Sequence, residues 1–148
     1  MIINKIVLIT GGSSGIGKAA VELFLKNKNK VIVIDKNSLK KKNKNLYFYN
    51  FDLEKTKLVK QLLKKISKKF NKIDVLILSA AICPMKDFLK IDEKIFDKVI
   101  NTNQKSVFFF AQEVSKIMIK KKNKRKNSFF KFSQFYFWRK FTSSLLCY

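Results

Sequence analysis

Gly11, Gly12, Ser13, Ser14, Gly15 and Gly17 lie between an apolar run, "KIVLIT" (5–10), and a second run that resumes as "KAAVELFL". Glycine at such a junction lets the chain turn tightly and lets an anion approach the backbone. The free N–H groups and dipole of the following helix then supply the binding field. Ser13 and Ser14 can cap that helix or donate to phosphate. Downstream, at the end of the next apolar run, stands Asp35. A carboxylate about 20 residues after such a loop can hold the hydroxyls of an adenosine ribose. The chemistry these residues point to is capture of a nucleotide through its phosphates and sugar.

The elements that must position them follow from periodicity. "KIVLIT", "KVIVID" (30–35), "NLYFYNFD" (45–52) and "KIDVLILSA" (72–80) are apolar, β-branched or aromatic runs expected as strands. Between them, Ile16 to Asn27 reads as a helix with Ala19, Ala20, Leu23 and Phe24 on its inner stripe. Glu54 to Phe70 reads as another, with Leu58, Leu62, Ile66 and Phe70 recurring every four residues. A long helix is expected from Asp92, placed to cap it, to about Ile119. Strands alternating with helices are the grammar of an α/β fold, a Rossmann-type doubly wound parallel sheet in three αβα layers. Ligands of such sheets bind beyond the carboxyl ends of the strands. Those ends are Gly11 to Gly17, Asp35, Asp52 with Leu53, and Ser79 to Ala81.

Composition bounds the alternatives. The chain has 148 residues, 47% of them hydrophobic, enough for one core of ordinary size. Its net charge of +23 raises nucleic acid or an anionic surface as a partner. The lysines are spread diffusely among Asn, Ile and Phe, however, so a solvated lysine surface is expected and a nucleic-acid partner is not. With no His, His-based triads and His acid/base catalysis are excluded, and two cysteines leave a metal site almost without ligands. The same two cysteines cannot build a disulfide framework, which fits a reducing cytoplasm. No apolar run approaches the roughly 18 residues a membrane span requires.

Thr10-Gly11-Gly12-Ser13-Ser14-Gly15-Ile16-Gly17 resembles the Thr-Gly-x-x-x-Gly-Ile-Gly cofactor loop of the classical short-chain dehydrogenases/reductases. The resemblance continues through Asp52-Leu53, similar to an acidic-aliphatic pair that contacts adenine. It extends through "FDKVINTNQKSVFFFAQEV" (96–114), similar to the family's fourth helix with Asn103 at its catalytic Asn position. It covers about residues 1 to 120. "AAICPMKDFLKIDEKIFDKVI" is most similar to the sugar and polyol dehydrogenases, with the 3-oxoacyl carrier-protein reductases close. The resemblance implies hydride transfer between a nicotinamide dinucleotide and a secondary alcohol or ketone. A Tyr then moves the proton beside a Lys, a Ser orients the carbonyl, and the helix Asn supports a water and Lys relay. Thr10, Gly11, Ser13 to Gly17, Asp35, Asp52, Leu53 and Ser79 to Ala81 are the expected cofactor residues. Asp35 repels a 2′-phosphate, which favours NAD over NADP, and the adjacent Lys36 softens that preference.

Two departures qualify the match. Where the family has Asn-Asn-Ala-Gly after the fourth strand, this chain has Leu78-Ser79-Ala80-Ala81. Ser79 is shorter than Asn, and a methyl at Ala81 is expected to be strained where a positive φ is required. After Ile119 the family pattern ends in "KKKNKRKNSFFKFSQFYFWRKFTSSLLCY". There 128–135 is a candidate fifth strand with Ser133 at the catalytic Ser, and Tyr148 lies near the expected Tyr distance without a following Lys. Tyr136 and Lys140 form a literal Tyr-x-x-x-Lys, too close to Ser133 for a new helix to intervene. The expected organisation is a dinucleotide-binding domain over 1–120 and a basic, aromatic tail over 121–148, with the sheet incomplete on its C-terminal side and the tail truncated or read out of frame. A non-catalytic nucleotide-binding remnant is the alternative function, and a basic nucleic-acid-associated protein the second. Apolar residues on several faces of the 92–119 helix, Phe108, Phe109, Phe110 and Val114 among them, predict a homo-oligomer.

Overall fold

The computed structural model describes residues 2–39 and 43–122. The apolar runs form a parallel sheet of β1 (Ile6–Thr10), β2 (Lys30–Asp35), β3 (Leu46–Asn50) and β4 (Val75–Leu78), in the order β3-β2-β1-β4. Each parallel neighbour is reached through a crossover. The chain therefore winds outward from β1 in both directions, and the glycine loop after β1 falls where the winding reverses.

Alternation along the strands sorts side chains to two faces. Val7, Ile9, Val31 and Val33 pack on one face under α1 (Gly15–Lys26). Leu8, Ile32 and Ile34 pack on the other, under α2 (Val59–Phe70) and α4 (Ser106–Lys122). This is the expected three-layer Rossmann-type arrangement. At the free side of the edge strand β3, Tyr47 meets Phe70 edge to face at 4.7 Å. Burial raises the phenol pKa of Tyr49 above its usual value.

The inward faces of two helices meet expectation at Ala20, Phe24, Leu62, Ile66 and Phe70 and differ at other positions. In α1 the buried positions are Gly17 and Val21, with Ala20, Phe24 and Leu25 packed beside them, while Leu23 is exposed. In α2 they are Val59, Leu63 and Ile66, and Leu58 falls in a short 3-10 turn (Thr56–Leu58) outside the helix, also exposed. Both helices carry apolar residues at adjacent positions, and contact with the sheet selects the register.

The expected long helix begins as predicted, with the Asp92 carboxylate accepting from the Ile95 N–H at 2.8 Å. It is not continuous. α3 (Glu93–Ile100) passes through a π-turn (Asn101–Lys105) into α4. The wider turn leaves the Thr102 carbonyl to accept from the Ser106 hydroxyl at 2.5 Å. Phe110 and Val114 of α4 are fully buried, so they belong to the core; Phe108 remains exposed. Among the described residues, no helix is long and apolar enough to cross a membrane. The candidate fifth strand, Ser133, Tyr136, Lys140 and Tyr148 lie outside the described residues.

Candidate functional site

All four glycines of the chain sit at the junction that leaves β1, Gly11 and Gly12 in the loop and Gly15 and Gly17 in the first turn of α1. A Cβ at Gly17 would meet the Gly11 carbonyl oxygen at 2.0 Å, so only glycine lets the first turn of α1 close against the loop. Gly15 has a φ of +51°, and a Cβ built on it meets nothing within 4 Å. It faces open cleft, where a ligand can reach the backbone. Ser14 is the N-cap in extended conformation and makes no side-chain capping bond, and no acidic residue occupies the first turn. The N-terminal field of α1 is therefore left for an anion.

Ser13, expected to cap the helix or donate to phosphate, is turned instead towards β2. Its N–H and hydroxyl both donate to Asp35 Oδ2, at 3.0 and 2.5 Å, and the Asn37 N–H donates to Oδ1 at 3.0 Å. Asp35 is only 8% exposed. A carboxylate offers about four lone-pair sites, so three donors leave roughly one for a ligand.

These groups line one cleft of about 540 Å³, within the range of small-molecule sites. Gly11, Ser13, Ser14, Gly15 and Ile16 form one wall, with Asp35, Lys36 and Asn37 beside them. Phe51 to Glu54 follow, with Leu53 buried into the core and Asp52 Oδ1 accepting from the Glu54 N–H at 3.1 Å. Ser79 to Ile82 and Thr102 complete the opposite wall. Thr10 and Gly17 stand behind the lining, both buried. The Thr10 carbonyl accepts from the Ser79 N–H at 3.2 Å, tying β1 to the end of β4. Ala81 is not among the residues of positive φ, so the strain expected from replacing glycine there is absent.

Asn103 is 4% exposed and sits in the π-turn. Its Oδ1 accepts from the Ile82 N–H at 2.9 Å and its Nδ2 donates to the Ile82 carbonyl at 2.8 Å. The amide thus staples the loop after β4 to the helix. Sequence reasoning missed Thr102, whose neighbourhood reads only as part of a helix, and it missed the Ser13–Asp35 pairing, which joins residues 22 apart.

The cleft suits a dinucleotide: an uncapped helix start beside glycine backbone for the phosphates, and an oriented carboxylate for a sugar. A doubly wound sheet with that site defines a dinucleotide-binding fold of the Rossmann type. The family model described as short chain dehydrogenase matches residues 5–125, and the chain belongs to that family. It is 35% identical over 129 residues to a 3-oxoacyl-[acyl-carrier-protein] reductase of Thermotoga maritima, covering 81% of this chain and 52% of that one. It is 29% identical over 131 residues to a sorbitol-6-phosphate 2-dehydrogenase of Klebsiella pneumoniae, covering 80% and 49%. A short-chain dehydrogenase from Leptospira borgpetersenii, solved with bound NAD+, superposes with a TM-score of 0.77 at 25% identity, covering 81% of this chain and 48% of that one. Solved structures similar to this chain hold NAD+ in one case and NADPH in another. The chain spans about half the length of the relatives it matches.

Proposed function

We propose that residues 1–120 form the dinucleotide-binding unit of a short-chain oxidoreductase, with NAD as its cofactor and a secondary alcohol or ketone as substrate. The observation that carries this reading is the Asp35 carboxylate, buried beside the glycine loop and oriented by Ser13 and Asn37. In this reading the first turn of α1 receives the pyrophosphate. Asp35 accepts from the adenosine ribose, and its charge disfavours a 2′-phosphate at the same place. Leu53 and Ala80 bound the base, with Asp52 holding the turn that presents Leu53. The bound dinucleotide supplies the hydride chemistry.

This chain's own contribution near the reacting end is positional. Asn103 holds Ile82, and with it the loop that borders the cleft. Ser133 and Tyr148 are proposed for carbonyl orientation and proton transfer by resemblance alone. The sugar and polyol dehydrogenases and the 3-oxoacyl reductases supply the substrate classes to test. Phe108 and Ile119, both more than half exposed on α4, support self-association through that helix.

Titration calorimetry with NADH tests the reading. Wild type is expected to bind, and Asp35→Ala to bind about 10- to 100-fold more weakly, the weight of hydrogen bonds to a charged group. Unchanged affinity in that variant removes the ribose role. Oxidation of NADH with a panel of ketones then separates an enzyme from a binding unit without turnover.

A further inference from the structure

β3 is an outer strand of the sheet, and its sequence, LYFYN, carries neither charge nor proline. Outer strands are ordinarily blunted by one or the other, because their free backbone groups template a further strand. The phase of the ladder says which groups those are. The Val31 N–H donates to the Asn45 carbonyl at 2.8 Å, and the Phe51 N–H donates to the Asp35 carbonyl at 3.0 Å. Between these two bonds, the alternation of a parallel pair turns the backbone of Tyr47 and Tyr49 towards β2 and that of Phe48 to the free side. An open groove of about 700 Å³ follows this edge. Leu46 to Tyr49 line it in succession, although Leu46 and Phe48 pack on the α1 face of the sheet and Tyr47 and Tyr49 on the α2 face. A groove lined by consecutive residues runs along the backbone rather than over one face. Its remaining wall is Lys65, Lys68 and Lys69 of α2, all exposed. Lys69 Nζ lies 5.0 Å from the centre of the Tyr47 ring and 5.6 Å from that of Phe70, which holds its charge at the rim. Among the described residues, no ion pair engages any of these three lysines.

We propose that the free edge of β3 docks an extended acidic segment of a partner protein, added to the sheet as a further strand beside Phe48. Charge chooses the occupant. A second copy of the chain pairing edge to edge brings its own three lysines to the same edge, and a net charge of +23 on each copy opposes it further. Nucleic acid has the complementary charge but no peptide backbone to pair with a strand. An acidic strand satisfies both features: its N–H and C=O groups meet those of Phe48, and side chains at every second position fall on the α2 face, beside the lysines. The intervening positions fall on the α1 face beside Leu46 and Phe48, where apolar residues suit them. The groove is separate from the nucleotide cleft, which meets this part of the chain only from Phe51 onward, so the proposal stands without the dinucleotide reading.

The test uses the full chain and a labelled peptide of about eight alternating Glu and Val residues, a long strand's length, titrated by fluorescence anisotropy. Three other probes are titrated beside it: the same peptide with Lys in place of Glu, the same peptide with a central proline, and a single-stranded oligonucleotide. The Glu peptide is expected to bind at least ~10-fold more tightly than the Lys peptide and at least ~10-fold more tightly than the proline peptide, whose ladder is interrupted. Hydrogen exchange at the Phe48 N–H is expected to slow at least ~10-fold in saturating Glu peptide, while exchange in β1 stays as it was. Reversing the wall with Lys65→Glu, Lys68→Glu and Lys69→Glu together is expected to invert the order of the Glu and Lys peptides, with circular dichroism reporting that the variant is folded. Equal binding of the Glu and Lys peptides by wild type overturns the proposal. Equal binding of the proline peptide, or unchanged exchange at Phe48, would mean attraction to a basic surface without strand pairing and overturns it too. Both of these readouts use wild type, so they decide the matter even where the triple variant does not fold. Displacement of the Glu peptide by the oligonucleotide, with slowed exchange at Phe48 absent, assigns the surface to nucleic acid instead.

Discussion

The two walls of the cleft are built by different means. On the wall formed by the β1 loop and β2, backbone does the shaping: Gly17 admits a carbonyl where any other residue places a Cβ, and the Gly11 N–H donates to the Ile34 carbonyl at 3.0 Å. On the opposite wall a single side chain does it. The Asn103 amide holds both polar groups of Ile82, and the adjoining hydroxyl of Thr102 is unsatisfied. A wall made by backbone sterics tolerates no substitution at its close contacts. A wall held by one amide is expected to loosen without unfolding the sheet.

The largest effect should come from Gly17→Ala. Its Cβ cannot occupy a point 2.0 Å from the Gly11 oxygen, so either the loop or the start of α1 must shift. Overpacking against backbone costs about 1–3 kcal/mol or more, and displacing the phosphate-facing turn is expected to weaken NADH by over ~100-fold. Denaturant unfolding together with NADH titration checks this. Near-normal affinity in that variant would show that the loop does not dictate the wall.

Asn103→Ala should act on the other wall and by less. It leaves the Ile82 N–H and carbonyl without the amide, a cost of about 1–3 kcal/mol for buried groups, reduced where water reaches them. The expected result is a Tm lower by several degrees with NADH affinity within about tenfold. Hydrogen exchange at Ile82 should accelerate in the variant while exchange in β1 does not. Equal protection at Ile82 in both proteins would separate Asn103 from that loop.

What could be read in the chain before its folding follows the same division. The glycine loop, Asp35 at the end of β2 and the Asp92 cap are local signals, each decided within a few residues, and they emerge as expected in place if not always in partnership. The inward stripes of α1 and α2 are legible in part: Ala20, Phe24, Leu62, Ile66 and Phe70 pack inward as expected, while Val21 and Leu63 are the more deeply buried positions because only contact with the sheet chooses between adjacent apolar residues. The π-turn has no sequence signature: "INTNQKSV" continues a helical pattern, and its break serves a contact with Ile82, 21 residues earlier. For the same reason Thr102 was invisible, since an unsatisfied hydroxyl is a property of packing. Ala81 was judged by analogy to a glycine of positive φ, and the backbone there adopts no such angle.

Ser13→Ala sharpens the comparison most finely, because its sign depends on counting acceptors rather than on sterics. Asp35 Oδ2 receives both the N–H and the hydroxyl of Ser13, and Oδ1 receives Asn37, so about one of some four lone-pair sites remains. A ribose offers two hydroxyls. The second must displace the Ser13 hydroxyl, giving up one hydrogen bond to the carboxylate for another. Removing that hydroxyl ends the competition, while the Ser13 and Asn37 N–H groups still orient the carboxylate. NADH affinity of Ser13→Ala is therefore expected within about threefold of wild type and on the tighter side, since the exchanged bonds differ by less than their individual worth of ~1.5–3 kcal/mol. Calorimetry reads it directly. Weakening by more than about threefold would mean that the serine hydroxyl positions Asp35 for the sugar rather than occupying the sugar's place, and this wall would then depend on a side chain as the other does on Asn103.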